Sequence, residues 1–321
     1  MATDSRIRSL TTFQYNYVRS FDAKQCSADV RTCRPRLGLP GNLIAGKLYQ
    51  PPCSFSCQKL ESYDQHPATM NECCTTGFLW NGTPAGRIDK LLDKPAYIAG
   101  DNSKRAILLV HDVFGWSLNN TRLLADHYAK EVGATVYLPD FFEGWSAKEG
   151  DAEMEVKDGK VTMITNPDVD WAGFFAKNGP DVRTPEVIAC ARKLGEDYEF
   201  VGAVGFCWGG AVGFKLASED NAGLLDCVTT AHPGKPSEED VRNLSIPVQI
   251  IAPEFDPTFD QESKDLCLRE IPKLGIEFVY NYFPGDVHGF CTKADMSSEK
   301  QKRSLERAKN AVVYWFLTHT A

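Results

Sequence analysis

Val201-Gly202-Ala203-Val204-Gly205-Phe206-Cys207-Trp208-Gly209-Gly210 is the stretch from which the fold can be read. Its first half is continuously apolar or small, as expected of a strand buried on both faces of a sheet. It then breaks into a glycine-flanked turn and runs on into a helical stretch over 209–218. Gly205-Phe206-Cys207-Trp208-Gly209 has the form G-x-nucleophile-x-G, in which the central residue sits at a strained backbone angle on a sharp strand-to-helix turn. Side chains two residues to either side would collide with the neighbouring strand and helix, which explains glycine at both places. The turn also puts Cys207 at a helix N-terminus, where unpaired N–H groups favour a thiolate. Two other readings compete. A buried structural cysteine is the commoner fate of this residue type. A dinucleotide loop fails, because Gly202, Gly205, Gly209 and Gly210 do not spell G-x-G-x-x-G. Both leave the acid and histidine further along unexplained.

Working outward, the chain alternates strand and helix signals. Upstream, 77–80 and 86–98 read as short strands, 106–110 as a buried strand, 118–132 as a helix and 135–138 as another buried strand. Residues 139–183 are rich in aromatics and interrupted by a polar stretch at 147–160, which suggests an excursion over the sheet. A helix over 184–197 is entered through Thr184-Pro185-Glu186. Downstream come strands at 227–231, 248–252 and 277–283, with helices at 260–274 and 299–318. Such βα alternation predicts an α/β protein with a mostly parallel central sheet and helices on both faces.

A nucleophile on such a turn is followed in the chain by an acid and then a histidine. Pro253-Glu254-Phe255-Asp256 ends one strand, and Gly285-Asp286-Val287-His288-Gly289-Phe290 follows the next. Both lie just past C-terminal strand ends, where open parallel sheets carry their sites. Of the six histidines only His288 comes after the acid and off a helix or terminus; His232 is expected to line a pocket. Asp256 is preferred to Glu254 and Asp260 because it begins the loop. The third strand-end loop is His111-Asp112-Val113-Phe114-Gly115-Trp116. Its Val113 N–H is expected to join that of Trp208 as an oxyanion donor pair, and Asp112 is either a restraint on the thiol or a solvated loop acid.

The whole chain narrows the classes further. It has 321 residues, 43% hydrophobic and 24% charged, a globular mix that excludes wholesale disorder. No apolar run approaches the roughly 18 residues of a membrane span. A net charge of −8 has the wrong sign for a nucleic-acid binder. Residues 1–70 differ from the rest, with 9 basic and 5 acidic side chains, and six of eleven cysteines fall within the first 74 residues. This segment lacks helical or strand periodicity and is read as a weakly structured, cysteine-containing extension before a domain at 71–321, with Met70 as an alternative start. Within it, Gly41-Asn42-Leu43-Ile44-Ala45-Gly46-Lys47 fits G-x-x-x-x-G-K but lacks the following Ser or Thr and a preceding strand. Cys53, Cys57, Cys73 and Cys74 are poorly spaced for zinc, so no metal is expected. The polar opening predicts a cytoplasmic protein, with Arg6, Arg8 and Arg19 leaving organelle targeting as an alternative.

Over residues 71–321 the chain resembles the dienelactone hydrolase family of α/β-hydrolases, most closely its fungal-type members. The resemblance is carried by Glu72-Cys73-Cys74, His111-Asp112-Val113-Phe114-Gly115, Gly205-Phe206-Cys207-Trp208-Gly209-Gly210, Ala231-His232-Pro233 and His288-Gly289-Phe290. It implies the α/β-hydrolase fold, a Cys207-His288-Asp256 triad, no cofactor, and a carboxylate at Asp112 that interacts with the resting thiol. The family members acting on carboxylated dienelactones hold the carboxylate with arginines, one of them four residues after the histidine. Here that residue is Thr292, with Lys293 as the nearest cation, so dienelactone itself is not the expected substrate. The expectation is a hydrolase of a small aromatic or hydrophobic lactone, ester or thioester. Its pocket would draw on Phe114, Trp116, Trp145, Trp171, Phe290 and Lys293, in a monomer or homodimer. A lyase, cyclase or isomerase on the same scaffold, or a non-catalytic ligand-binding protein, are the alternatives.

Overall fold

The computed structural model describes Trp80 and residues 82–320. The readings made on residues 1–70, on Glu72-Cys73-Cys74 and on most of the strand at 77–80 therefore lie outside the described residues; Trp80 itself is in no strand.

Eight strands form one sheet: β1 (Arg87–Leu91), β2 (Lys94–Ala99), β3 (Arg105–Val110), β4 (Thr135–Pro139), β7 (Phe200–Phe206), β8 (Cys227–Ala231), β9 (Val248–Phe255) and β10 (Phe278–Val287). Their order across the sheet is β1-β2-β4-β3-β7-β8-β9-β10. All pairings from β4 to β10 are parallel; β2 is antiparallel to both β1 and β4, so near that edge it alone runs against the rest. This is the mostly parallel α/β sheet of the α/β-hydrolase fold.

The period of two along β3 shows how the sheet divides the core. Ala106, Leu108 and Val110 point to one face, with Val187, Cys190 and Leu194 of α3 (Pro180–Asp197), Val212 of α4 (Trp208–Leu216) and Cys267 of α6 (Gln261–Glu270). Ile107 and Leu109 point to the other, with Leu124 and Tyr128 of α1 (Asn119–Tyr128) and Val312 and Phe316 of α7 (Glu299–His319). A strand buried on both faces has no polar side to alternate with, so it reads as an unbroken apolar run.

Several boundaries move. The helix expected over 118–132 ends at Tyr128 and closes through a π-turn, Ala129–Gly133. The helix expected to start at Thr184 begins at Pro180, and Pro185 lies inside it. Pro185 is the sixth residue of the helix and has no N–H to offer Asp181 O, while one residue earlier the Thr184 hydroxyl donates to Pro180 O at 2.6 Å. The 139–183 excursion is more regular than its composition suggests. It holds a two-stranded hairpin of its own, β5 (Ala152–Lys157) and β6 (Lys160–Thr165), and a helix, α2 (Trp171–Asn178). Asp158 (φ 51°) and Gly159 (φ 72°) join the strands, an Asp-Gly two-residue turn of the kind that matches strand twist.

Candidate active site

β7 ends at Phe206 and α4 starts at Trp208, so Cys207 alone makes the turn, at φ 51° and ψ −108°. Such a conformation costs a non-glycine residue about 1–3 kcal/mol and persists only where its surroundings hold it. Here Cys207 N donates to Ala231 O at 3.0 Å, and Cys207 O accepts from Gly234 N at 2.8 Å and Ala211 N at 3.1 Å. The two flanking glycines are sterically obligatory. A Cβ on Gly205 would fall 2.0 Å from Gly209 O, and one on Gly209 would fall 2.1 Å from Val110 O.

The three strand-end loops converge on this turn. His288 N donates to Phe255 O at 3.0 Å, which zips the end of β10 onto the end of β9 and brings the imidazole beside Asp256. His288 Nδ1 lies 2.8 Å from Asp256 Oδ2. The other carboxylate oxygen accepts from Thr258 N at 2.9 Å, Phe259 N at 2.8 Å and the Thr258 hydroxyl at 2.9 Å. Burial raises the Asp256 pKa, but the His288 charge and these donors outweigh it, and the carboxyl lies below its ordinary range. Burial likewise disfavours the imidazolium of His288, yet the Asp256 carboxylate and the Cys207 sulfur together hold its pKa well above 6.5. Its Nε2 has no hydrogen-bond partner among the described residues. The other acids considered have other work: Glu254 accepts from Gly285 N at 2.6 Å, and Asp260 caps α6 through Ser263 N at 2.9 Å.

The 111–116 loop forms the opposite wall. His111 is wholly buried, its Nδ1 2.8 Å from Asp112 O and its Nε2 3.3 Å from Phe141 N. Because the Phe141 N–H can only donate, Nε2 accepts and Nδ1 carries the proton. Burial pushes this imidazole down to about 4. Asp112 is 2% exposed, and its two oxygens accept from Phe114 N and from the Thr292 hydroxyl, both at 2.8 Å. Burial pushes its carboxyl up, against the pull of Thr292, Phe114, Lys293 and His288. No hydrogen bond joins Asp112 to Cys207 among the described residues. The N–H groups of Val113 and Trp208 have no acceptor among the described residues either; Trp208 opens α4, where first-turn amides have none within the helix.

A cavity of about 760 Å³ opens over these groups, lined by Cys207, His288, Asp112, Val113 and Trp208. Four of the expected wall residues are there: Phe114, Trp171, Phe290 and Lys293, whose ammonium sits 4.0 Å from the Phe114 ring centre. Three are elsewhere. His232 is fully buried, its ring edge-on to His288 at 5.0 Å between centroids, and burial drives its pKa to about 3. Trp116 is covered by the Arg122 guanidinium, 4.8 Å from its ring, and Trp145 packs on Phe174 at 4.0 Å. Large apolar rings serve core and pocket alike, and position in the chain does not separate the two uses. Thr258, Met154 and Met163 also line the cavity, and no motif in the chain marks them for it. Among the described residues no cluster has the make-up of a metal centre.

Residues 95–320 match the dienelactone hydrolase family. The chain is 27% identical over 254 residues to the hydrolase tropI of Talaromyces stipitatus, covering 76% of this chain and 94% of that protein. It is 30% identical over 225 residues to a carboxymethylenebutenolidase homolog of Rattus norvegicus, covering 66% and 81%. Among solved structures, a putative dienelactone hydrolase from Klebsiella pneumoniae superposes with a TM-score of 0.54 at 16% identity, covering 75% of this chain and 96% of that one. With its site at the strand ends of an α/β-hydrolase sheet, this chain belongs to the dienelactone hydrolase family and is an ester-bond hydrolase acting on a small molecule.

Proposed function

We propose that the protein hydrolyses lactones, esters or thioesters of apolar or aromatic small molecules through a Cys207-His288-Asp256 triad. The observation that carries this reading is a convergence: Asp256 bonds His288 Nδ1 at 2.8 Å, and His288 and Cys207 line the same cavity. In the first step the Cys207 thiol gives its proton to His288 and its sulfur attacks the carbonyl carbon, while the carbonyl oxygen, now negative, is held by the N–H groups of Val113 and Trp208. The C–O or C–S bond breaks, and the leaving group takes the proton from His288. Water then gives a proton back to His288 and attacks the thioester, releasing the acid and restoring the thiol. Asp256 keeps the imidazole in the tautomer and orientation both steps need, and Asp112 modulates the resting thiol from the facing wall.

Incubating the protein with p-nitrophenyl acetate tests the reading. Turnover and an acyl mass increment on Cys207 are expected, and Cys207→Ala abolishes both while leaving the circular dichroism spectrum intact. Full activity in that variant rejects the triad; binding without acylation favours a non-hydrolytic role. Replacing a donor that bonds the oxyanion costs about 10²–10³ in rate, the scale on which oxyanion variants are to be judged. We assign the protein to the cytoplasm and the catalytic unit to residues 71–321. Cell fractionation checks the first, and activity of a chain lacking residues 1–69 checks the second. No helix among the described residues is long and apolar enough to cross a membrane.

A further inference from the structure

The β5–β6 hairpin pairs with no strand of the central sheet, yet it lies over the reacting groups. Its register puts Ala152 opposite Thr165, Met154 opposite Met163 and Val156 opposite Val161. Since side chains alternate along a strand, these six share one face. The opposite face carries Glu153, Glu155, Lys157, Lys160, Thr162 and Ile164. Burial follows the same alternation: Met154 is 8% exposed, whereas Ile164 on the outer face is 48% exposed. An isolated two-stranded hairpin is marginal in water. This one is closed at its base by Asp151, which accepts from Lys148 N at 2.7 Å and Asn166 Nδ2 at 3.1 Å. What its inner face meets is the cavity of Cys207 and His288, lined by Ala152, Met154, Met163 and Thr165 from the hairpin and by Trp171 and Phe175 from α2. Glu153 reaches the rim of the same cavity.

Two facing methionines and two aromatic rings make a deformable apolar wall. Unbranched thioethers repack around differently shaped ligands and make favourable contacts with rings. A volume of about 760 Å³ is on the scale of drug-sized ligands and far beyond an acetyl group.

We propose that the inner face of the β5–β6 hairpin is the specificity subsite, and that it selects substrates with an extended apolar group, a medium-length alkyl chain or a fused aromatic ring system, over short acyl groups. The inference rests on the reading of Cys207 as the nucleophile of a hydrolase, and names the substrate class of that site. Met154 and Met163 touch the apolar group, and α2 closes the other side.

The test compares alkylation of Cys207 in the full-length protein by iodoacetamide and by N-octyl iodoacetamide, followed by intact mass. Each rate is divided by that of the same reagent with free cysteine. Alkylation reports occupancy of the cavity whether or not esters are turned over. The octyl reagent is expected to be favoured by about tenfold or more, the discrimination that even a single methylene contributes in an apolar pocket. The double variant Met154→Ala/Met163→Ala should lose most of that preference, and Met163→Trp, which narrows the cavity from a half-buried position, should lose it too. Ile164→Thr on the outer face should keep it. An octyl preference that is absent, or that survives both inner-face variants, overturns the proposal. Hydrolysis of p-nitrophenyl acetate and octanoate is measured alongside. Turnover of both esters without octyl preference overturns the subsite alone. An intact, methionine-dependent alkylation preference without turnover of either ester supports the subsite and overturns the hydrolase reading.

Discussion

Thr292 and Asp256 show how much of the site depends on single side chains. Asp112 is a buried carboxyl whose Oδ2 accepts from the Thr292 hydroxyl at 2.8 Å. Thr292→Val keeps the shape and removes that donor, leaving a buried acceptor one bond short. A loss of about 2 kcal/mol in stability is expected, together with a further rise of the Asp112 pKa. Chemical denaturation checks it, and an unchanged midpoint argues against the contact. Asp256 acts on charge. Its carboxylate is the largest influence holding the His288 pKa up against burial, so Asp256→Asn should lower that pKa markedly. Histidine Cε1–H NMR titration reads this directly, and a His288 resonance titrating at the same pH in both proteins excludes the relay.

At the scale of elements, the turn between β7 and α4 and the helix α3 make opposite demands on glycine. Gly209→Ala puts a methyl 2.1 Å from Val110 O, a backbone atom that cannot swing away. A penalty of several kcal/mol is expected, as for other overpacked cores at the severe end. Gly195 lies inside α3, where a Cβ meets nothing nearer than Leu224 O at 3.8 Å. There alanine restricts the unfolded chain and suits the helix, so Gly195→Ala should gain about 0.5–1 kcal/mol. Thermal denaturation of the two variants should move in opposite directions; a parallel shift contradicts the steric account. The α2–α3 junction is joined to the same turn, because Trp208 Nε1 donates to Asn178 O at 2.7 Å and Arg183 holds the Asn178 side chain at 2.8 and 3.0 Å. The wall opposite the hairpin is thus anchored to the turn that carries Cys207.

For the whole molecule, buried ionisable groups set the dependence of stability on pH. Burial lowers His111 to about 4 and His232 to about 3, against about 6.5 in an unfolded chain. Between those values the unfolded chain takes up protons that the native one refuses, so both contributions are lost as pH falls below about 6.5. Asp256, lowered on folding, works in the same direction below about 3.8. His288, raised on folding, contributes fully below about 6.5 and loses its contribution only as pH rises through its higher native value. Asp112, also raised, offsets part of the acid loss. The two neutral histidines together amount to about 5 kcal/mol between pH 7 and 4.5, so a fall in Tm of roughly 10–20 °C is expected over that interval. Calorimetry at the two pH values checks it, and a flat Tm contradicts the burial of neutral imidazoles.

The unbroken apolar run at β3, the glycine-flanked turn at Cys207 and the strand-end placement of Asp256 and His288 are all legible along the chain, because strand period, turn chemistry and chain order are local properties. The stretch at 147–160 reads as merely polar from its composition, although Asp158-Gly159 flanked by apolar residues spaced one in two is a hairpin pattern. Folding alone decided which rings line the cavity. Phe114 and Trp171 do, while Trp116 packs against Arg122 and Trp145 against Phe174, although all four are half-buried aromatic side chains. It also paired Asp112 with Thr292, 180 residues away, and seated His232 against the His288 ring instead of in the pocket. Such contacts depend on which distant surfaces meet, and neither composition nor periodicity carries that information.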